Sequence, residues 1–159
     1  MATPIFKQLD PPLPFISSTH LISVDYDKSV EEMINEGGYY WKNDNITSEN
    51  FPSSEKGIIQ KEIFLVGFNQ VVVSVEDVLK GLERLGLCSI NLKELLSLGT
   101  QYPEIQNKDW IVALGSTWCD SYGHILVPNL DNGGGHRRLD LFWWENYWVS
   151  RWRFAAVCN

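Results

Sequence analysis

From Asp109 onward the chain changes its hydrophobic period from helical to two, and it does so while becoming rich in tryptophan. That combination restricts the fold more than any other feature of the sequence. Side chains on a strand alternate between two faces, so a strand of large apolar residues must either be covered on both sides or present some of its rings to solvent. Trp110 to Leu114 reads as a buried strand, Gly115-Ser116 as a turn, and Trp152 to Val157 as a last strand. Asp131-Asn132-Gly133-Gly134-Gly135 carries the strongest hairpin-type turn chemistry of the sequence. Beyond it Leu139, Leu141 and Trp143 fall on one face, and Arg138, Asp140, Phe142 and Trp144 on the other.

Helical signals precede this region. Ser74 with Asp77 forms a capping arrangement before Val75, Val78, Leu79, Leu82 and Leu85, whose spacing predicts an amphipathic helix ending at Gly86. Asn91 with Glu94 caps a second helix carrying Leu92, Leu95 and Leu96, which the sequence closes at Gly99, with Pro103 preventing continuation. Earlier still, Ser29 opens a short helix through Ile34, ended by Gly37-Gly38. His20 to Tyr26 alternates like a strand, Tyr39-Tyr40-Trp41 reads as a buried strand or turn, Asn43 to Lys56 as a loop, and Lys61 to Val73 as the longest β-like stretch. Residues 1–20, with Pro4, Pro11, Pro12 and Pro14, read as extended or poorly ordered. Strands, then two helices, then short antiparallel strands predict an α+β fold with helices on one side of a sheet.

The 159 residues suffice for one domain with its own core. A net charge of -7 repels phosphate backbones and anionic lipid heads, so nucleic acid is not expected as a partner. The apolar runs Ile63 to Phe68 and Val71 to Val73 fall far below the roughly 20 residues of a membrane span, and no membrane association is expected. The first ten residues lack the pattern of a secretory signal, which assigns the chain to the cytoplasm. Cys88, Cys119 and Cys158, odd in number and widely spaced, read as reduced, mostly packed thiols.

Four segments in order carry a resemblance. They are Val73-Ser74-Val75-Glu76-Asp77-Val78 opening a helix, the Leu92 to Leu98 helix, Leu114-Gly115-Ser116-Thr117-Trp118, and Arg153-Phe154-Ala155-Ala156-Val157. This order resembles the C-type lectin fold, and most closely its formylglycine-generating-enzyme branch, whose Gly-Gly-Ser-Trp segment and closing strand the last two segments look like. The same ending is similar to variable proteins of diversity-generating retroelements and to uncharacterised proteins of candidate-phylum bacteria. The likeness spans about Val71 to Val157; Arg153 precedes Phe154 where the family places Arg after Phe. It implies a C-type-lectin-like domain over 61–159, with two helices on a short-stranded antiparallel sheet and residues 1–60 as a divergent extension packed on it.

Function is expected in residues 116–152, where large rings alternate with small polar groups as in antibody-like binding surfaces. Leu139, Leu141, Trp143 and Trp148 suit the core, and the expected ligand-contacting residues are Tyr122, His124, Asp131, His136, Asp140, Phe142, Asn146, Tyr147 and Ser150. The retroelement resemblance implies that these are products of adenine-directed mutation between tryptophans whose codons are immune. Three chemical readings compete. Val127-Pro128-Asn129-Leu130-Asp131-Asn132 keeps part of a lectin calcium loop but offers too few oxygens for a hard cation. Cys119 with His124 or His136 lacks an ordering acid and an oxyanion element. Asp131 to His136 is glycine-rich without the strand-to-helix context of a phosphate cradle. The sequence therefore predicts a non-catalytic protein without metal or cofactor that binds a protein ligand. A degenerate formylglycine-generating-type enzyme and a structural or assembly domain are the alternatives.

Overall fold

The computed structural model describes residues 11–159. Its backbone alternates three α-helices with nine strands: β1 Pro14–Asp25, α1 Val30–Gly37, β2 Trp41–Lys42, β3 Ile58–Phe68, α2 Val75–Arg84, β4 Leu87–Ser89, α3 Leu92–Gln101, β5 Trp110–Val112, β6 Trp118–Cys119, β7 Ile125–Asp131, β8 Arg138–Trp143 and β9 Trp152–Cys158. Short 3₁₀ turns occupy Pro103–Asn107 and Gly133–Gly135. The fold is α+β, as the order of sequence signals predicts.

The helices begin where their caps say. Ser29 accepts from the Glu32 N–H and Ser74 from the Asp77 N–H, while Asn91 and Glu94 close a full capping box. Gly38, at φ 63°, ends α1 in the left-handed conformation that suits glycine. α3 does not stop at Gly99 but runs through it to Gln101, because that glycine is chosen for contact rather than for termination. A Cβ there would lie 2.5 Å from the Tyr39 hydroxyl oxygen and 3.0 Å from Leu130 Cδ1.

All nine strands join one sheet in the order β1-β3-β9-β5-β7-β8-β2, with β4 added to β9 and β6 to β7. Most pairs are antiparallel, but β5 runs parallel to β9 and β2 parallel to β8, so the sheet is mixed rather than antiparallel. Nor are all its strands short. β1 and β3, of 12 and 11 residues, pair from Pro14↔Phe68 to Asp25↔Ile58 with one irregularity between Ile16 and Ser18. Residues 14–20 are thus extended, as strand, the first of the two expected alternatives; the part of that proline-dense stretch before residue 11, including the segment read for a leader signal, lies outside the described residues. Among the described residues no helix is long and apolar enough to cross a membrane.

The expectation that the helices share one side of the sheet is overturned by the alternation of the central strands. Leu65, Ile111, Ala113 and Ala155 join a cluster with α1 and α3, including Met33, Ile34, Leu95 and Leu98. Their chain neighbours Val66, Val112, Leu114, Phe154 and Ala156 join a second cluster with Val75, Val78 and Leu82 of α2. Consecutive residues of β3, β5 and β9 therefore serve opposite cores, and this is why those segments read as continuous apolar runs. α2 and α3 follow one another in the chain yet cover opposite faces. Leu79 of α2 and Leu85, just past its end, stay exposed while Gly81, packed under the Phe68 ring, takes a buried place instead.

The outer edge of β1 is partly occupied. The Gln101 side-chain amide accepts from the Ser23 N–H at 3.0 Å and donates to the Ser23 carbonyl at 2.7 Å, and the Tyr102 hydroxyl donates to the Leu21 carbonyl. Side chains here take the hydrogen bonds that a further strand would make.

Candidate binding surface

β7 and β8 form the hairpin expected around Asp131 to Gly135, in register from Asp131↔Arg138 to Leu126↔Trp143. At about 3.3 Å per residue its two ends lie roughly 17 Å apart. The nine expected contact residues divide between them.

At the turn end, Asp131 accepts from the Gly133 N–H at 3.0 Å and from Asn129 Nδ2 at 3.1 Å, and sits 3.5 Å from Arg138 Nε. Asp140 accepts from Asn43 Nδ2, from Arg138 Nη2 and from its own strand at the Leu141 N–H. Both carboxylates are thus committed to internal bonds. His136 is exposed and stacks on Tyr40 with ring centroids 4.0 Å apart. Tyr40 and Trp41, expected to be buried, are 73% and 42% exposed, because β2 is a two-residue strand at the margin of the sheet.

At the other end the aromatic residues gather. Tyr122, 84% exposed, and His124 stand in a tight turn whose Gly123 adopts φ 84°. Asp120 ties the turn together, accepting from the Tyr122 and His124 N–H groups at 2.9 Å each and facing His124 Nδ1 at 3.2 Å. Partial burial pushes the Asp120 carboxyl upward, but the His124 and Tyr122 contacts outweigh it and hold the group below its usual range. The His124 ring lies nearly parallel to Trp143 at 5.7 Å. Trp143 follows Leu139 and Leu141 on their face of β8 yet is 60% exposed, which corrects its assignment to the core. Leu139 and Leu141 belong to the cluster beneath α1 and α3, and Trp143 stands one step past the end of that cover.

From Trp143 to Trp152 the chain makes a loop fastened at its middle. Trp148 exchanges two backbone hydrogen bonds with Val72, at 3.1 and 2.9 Å. Its indole is 1% exposed and packs against Phe142, Trp152 and Phe154 at centroid distances of 5.8, 5.1 and 5.4 Å. Its Nε1 finds no acceptor among the described residues. An unpaired buried N–H costs about 1–3 kcal/mol, whereas burying roughly 200 Å² of ring at about 25 cal/mol per Å² contributes about 5 kcal/mol, so the anchor holds. Asn146 Nδ2 donates to the Trp143 carbonyl at 2.7 Å and closes the near half of the loop. Tyr147 is 72% exposed, Ser150 is exposed, and the Ser150 carbonyl accepts from Arg153. Phe142 is shared, one side packed on the buried rings and 38% of it accessible.

Two clefts open here. One, of about 340 Å³, is walled by Gly123, His124, Ile125, Trp143, Trp144 and Glu145. The next, of about 470 Å³, lies between Val73–Glu76 at the start of α2 and Trp144–Tyr147, so Trp144 and Glu145 border both. Tyr122, His124, Asn146 and Tyr147 are therefore brought to one region, while Asp131, His136 and Asp140 are not. Val73, Glu76, Trp143, Trp144 and Glu145 belong to it without having been expected. A signal was present in the sequence: Phe142-Trp143-Trp144 is three rings in succession, and alternation forbids all three from facing one core.

The chemistry elsewhere is sparse. Cys88, Cys119 and Cys158 are exposed free thiols rather than packed ones, because each lies on a short or marginal stretch of strand. Among the described residues Cys119 Sγ meets the Asp120 carbonyl at 3.7 Å, and Asp120, contrary to the sequence expectation, does supply an acid beside the His124 ring. Among the described residues no three His, Cys, Asp or Glu side chains are placed to share a metal ion. No protein-family model matches the chain, and no curated protein or solved structure matches it.

Proposed function

We propose that this chain is a non-catalytic binding protein, built on a C-type-lectin-like scaffold, that engages a protein ligand through the surface formed by residues 118–126 and 142–150. One observation carries the reading: the loop after β8 is fastened by the sealed Trp148 while Trp143 and Tyr147, both shortly before that anchor in the chain, are 60% and 72% exposed. Exposing large rings to water serves no folding purpose, and rings held rigid present contact area at low entropic cost. The clefts are open and adjoining, which suits a polypeptide better than an enclosed small molecule.

The scaffold assignment draws support from the order of elements. α2 opens at the Ser74 cap, α3 follows, the Leu114–Trp118 segment turns at Gly115, and β9 closes the sheet. A Cβ at Gly115 would lie 2.4 Å from the Ile90 carbonyl oxygen, so that turn demands glycine. On the diversity-generating reading, the tryptophans are the constant frame and Tyr122, His124, Asn146, Tyr147 and Ser150 the variable positions; the sealed Trp148 and Trp152 against the exposed Tyr122, His124, Tyr147 and Ser150 support that division, and Trp143, 60% exposed, departs from it. Asp131 and Asp140, held by internal bonds, fit that reading less well.

A photo-crosslinking residue placed at Tyr147 tests the surface in the native cell extract. A discrete protein adduct is expected, competed by excess unlabelled wild type but not by a Trp143→Ala, Tyr147→Ser variant. An adduct equally frequent from a crosslinker at Leu79, on exposed α2, would refute the assignment.

A further inference from the structure

We propose that the element of the partner recognised in these clefts is an arginine-bearing, basic polypeptide segment, an inference that rests on the binding surface described above. Three independent features converge on it. The first is ring chemistry. Trp143 and Tyr147 present exposed ring surface, that of Trp143 bordered by the stacked His124; π-electron density attracts cations, and a planar guanidinium stacks on an indole better than an ammonium does. The second is local charge. Glu145 borders both clefts and Glu76 lines the second, yet neither pairs with a cation among the described residues, and no lysine or arginine stands in either wall. Elsewhere on this chain four of the five arginines are already stacked: Arg137 over Tyr39, Arg138 over Trp41, Arg151 over Trp110 and Arg153 over Phe15, at 4.6 to 5.3 Å. Among the described residues no lysine or arginine stacks on the exposed rings of Trp143 and Tyr147, nor on the neighbouring Tyr122. The third is the field of the whole chain, whose net charge of -7 steers basic segments toward the surface.

The geometry also sets the form of the contact. Because Trp144 and Glu145 separate two adjoining clefts, an extended segment can lay one side chain into each. A guanidinium over Trp143 has the Glu145 carboxylate on the wall of the same cleft, and a charge-assisted hydrogen bond between them fixes orientation as well as sign. The neighbouring cleft, with Val73 and Tyr147 for walls and Glu76 at its rim, takes the next outward-facing residue of the segment. An acidic or neutral segment of equal length would leave both carboxylates facing no counter-charge.

The test titrates full-length protein with short peptides alternating Arg and Gly, read by indole fluorescence. Matched peptides carry citrulline, which keeps the shape and removes the charge, or glutamate. Saturable binding of the Arg peptide is expected, weakened about tenfold by Glu145→Gln and lost in Trp143→Ala, with both variants melting at the wild-type temperature. Raising the salt concentration should weaken it further. Equal binding of the citrulline peptide, or undiminished binding to Glu145→Lys, overturns the proposal. If the Tyr147 adduct forms but the Arg peptide neither binds nor competes with it, the surface stands and its cationic preference falls. If neither appears, both fall.

Discussion

The phenol of Tyr26 donates a 2.7 Å hydrogen bond to Glu94 Oε2, joining the end of β1 to the first turn of α3 through a carboxylate that is 3% exposed. Lys61 of β3 meets the same oxygen, and Glu94 Oε1 accepts from the Asn91 N–H to complete the capping box. One side chain thus fastens three elements. Glu94→Ala leaves a lysine, a phenol and a helix N–H without their partner and should cost about 3 kcal/mol. Glu94→Gln, which keeps the cap but loses the charge, should cost less. Urea denaturation of the two variants checks the ranking.

Alkaline pH should unfasten the same region. Burial works against the Lys61 ammonium, but the Glu94 and Tyr26 contacts prevail and raise its pKa above the ordinary 10.5. Burial also raises Tyr26, and pushes the Tyr39 hydroxyl from 10.0 up to about 12 despite the opposing pull of Arg137. Each folded-state value exceeds its unfolded one, so the stabilisation is complete below the unfolded value and disappears as pH rises through the folded one. Stability is expected to hold up to about pH 10 and to fall above it. In Tyr39→Phe the decline between 10.0 and about 12 should be shallower, as denaturation midpoints across that range would show.

Arg137 gathers the ends of two helices. Its guanidinium donates to the Gly37 carbonyl at the end of α1, to Gly99 near the end of α3 and to Gln106 Oε1, while stacking over Tyr39 at 4.7 Å. A cation suits helix C-termini, and only the planar fork reaches three acceptors at once. Arg137→Ala should destabilise by about 3 kcal/mol, and Arg137→Lys should recover less than half of that. Thermal melts of the two variants would decide it.

The tryptophans of the C-terminal third should behave as two kinds. Trp148→Ala empties a packed site and should cost about 4 kcal/mol. Trp148→Phe, which also removes the unpaired N–H, should cost far less. Trp143→Ala should move stability by no more than about 0.5 kcal/mol, as at other exposed positions, and on the proposed function it should also remove the crosslinked adduct. A large loss of stability in Trp143→Ala would show that the ring is structural.

Gly115 offers a test of the turn that leads into β6. Its N–H donates to the Ile90 carbonyl at 2.8 Å, and a methyl group there would collide with the same carbonyl. Gly115→Ala should cost about 2 kcal/mol by forcing the backbone apart. Hydrogen exchange at the Leu92 amide, held by Ser116 Oγ, should accelerate with it.

Where the sequence was legible, local chemistry was decisive. The Ser29, Ser74 and Asn91 caps, the glycine turn after Asp131 and the alternation of Leu139 and Leu141 are short-range devices, each complete within a few residues. What escaped was set by distant partners. Whether a run such as Val112-Ala113-Leu114 faces one core or two depends on helices elsewhere in the chain, and both α2 and α3 look alike in their own periodicity. Trp143 and Tyr40 are apolar enough to be read as core; only the extent of the neighbouring layer decides that they are not. The candidate site shows the same division. Tyr122, His124, Asn146 and Tyr147 were visible from composition, whereas Glu76 and Val73 enter because Val72 pairs with Trp148 across the fold.

The place of β9 governs the order in which this molecule can be assembled. β3 and β5 touch it from either side, Phe64 meeting Ala156 and Val112 meeting Phe154, so the sheet has no joined centre until residues 152–158 arrive. During synthesis everything earlier must wait, with Val66, Val112 and Val127 uncovered, for the keystone to leave the ribosome. A nascent chain halted before Trp152 would leave both faces of the sheet uncovered and call on chaperones.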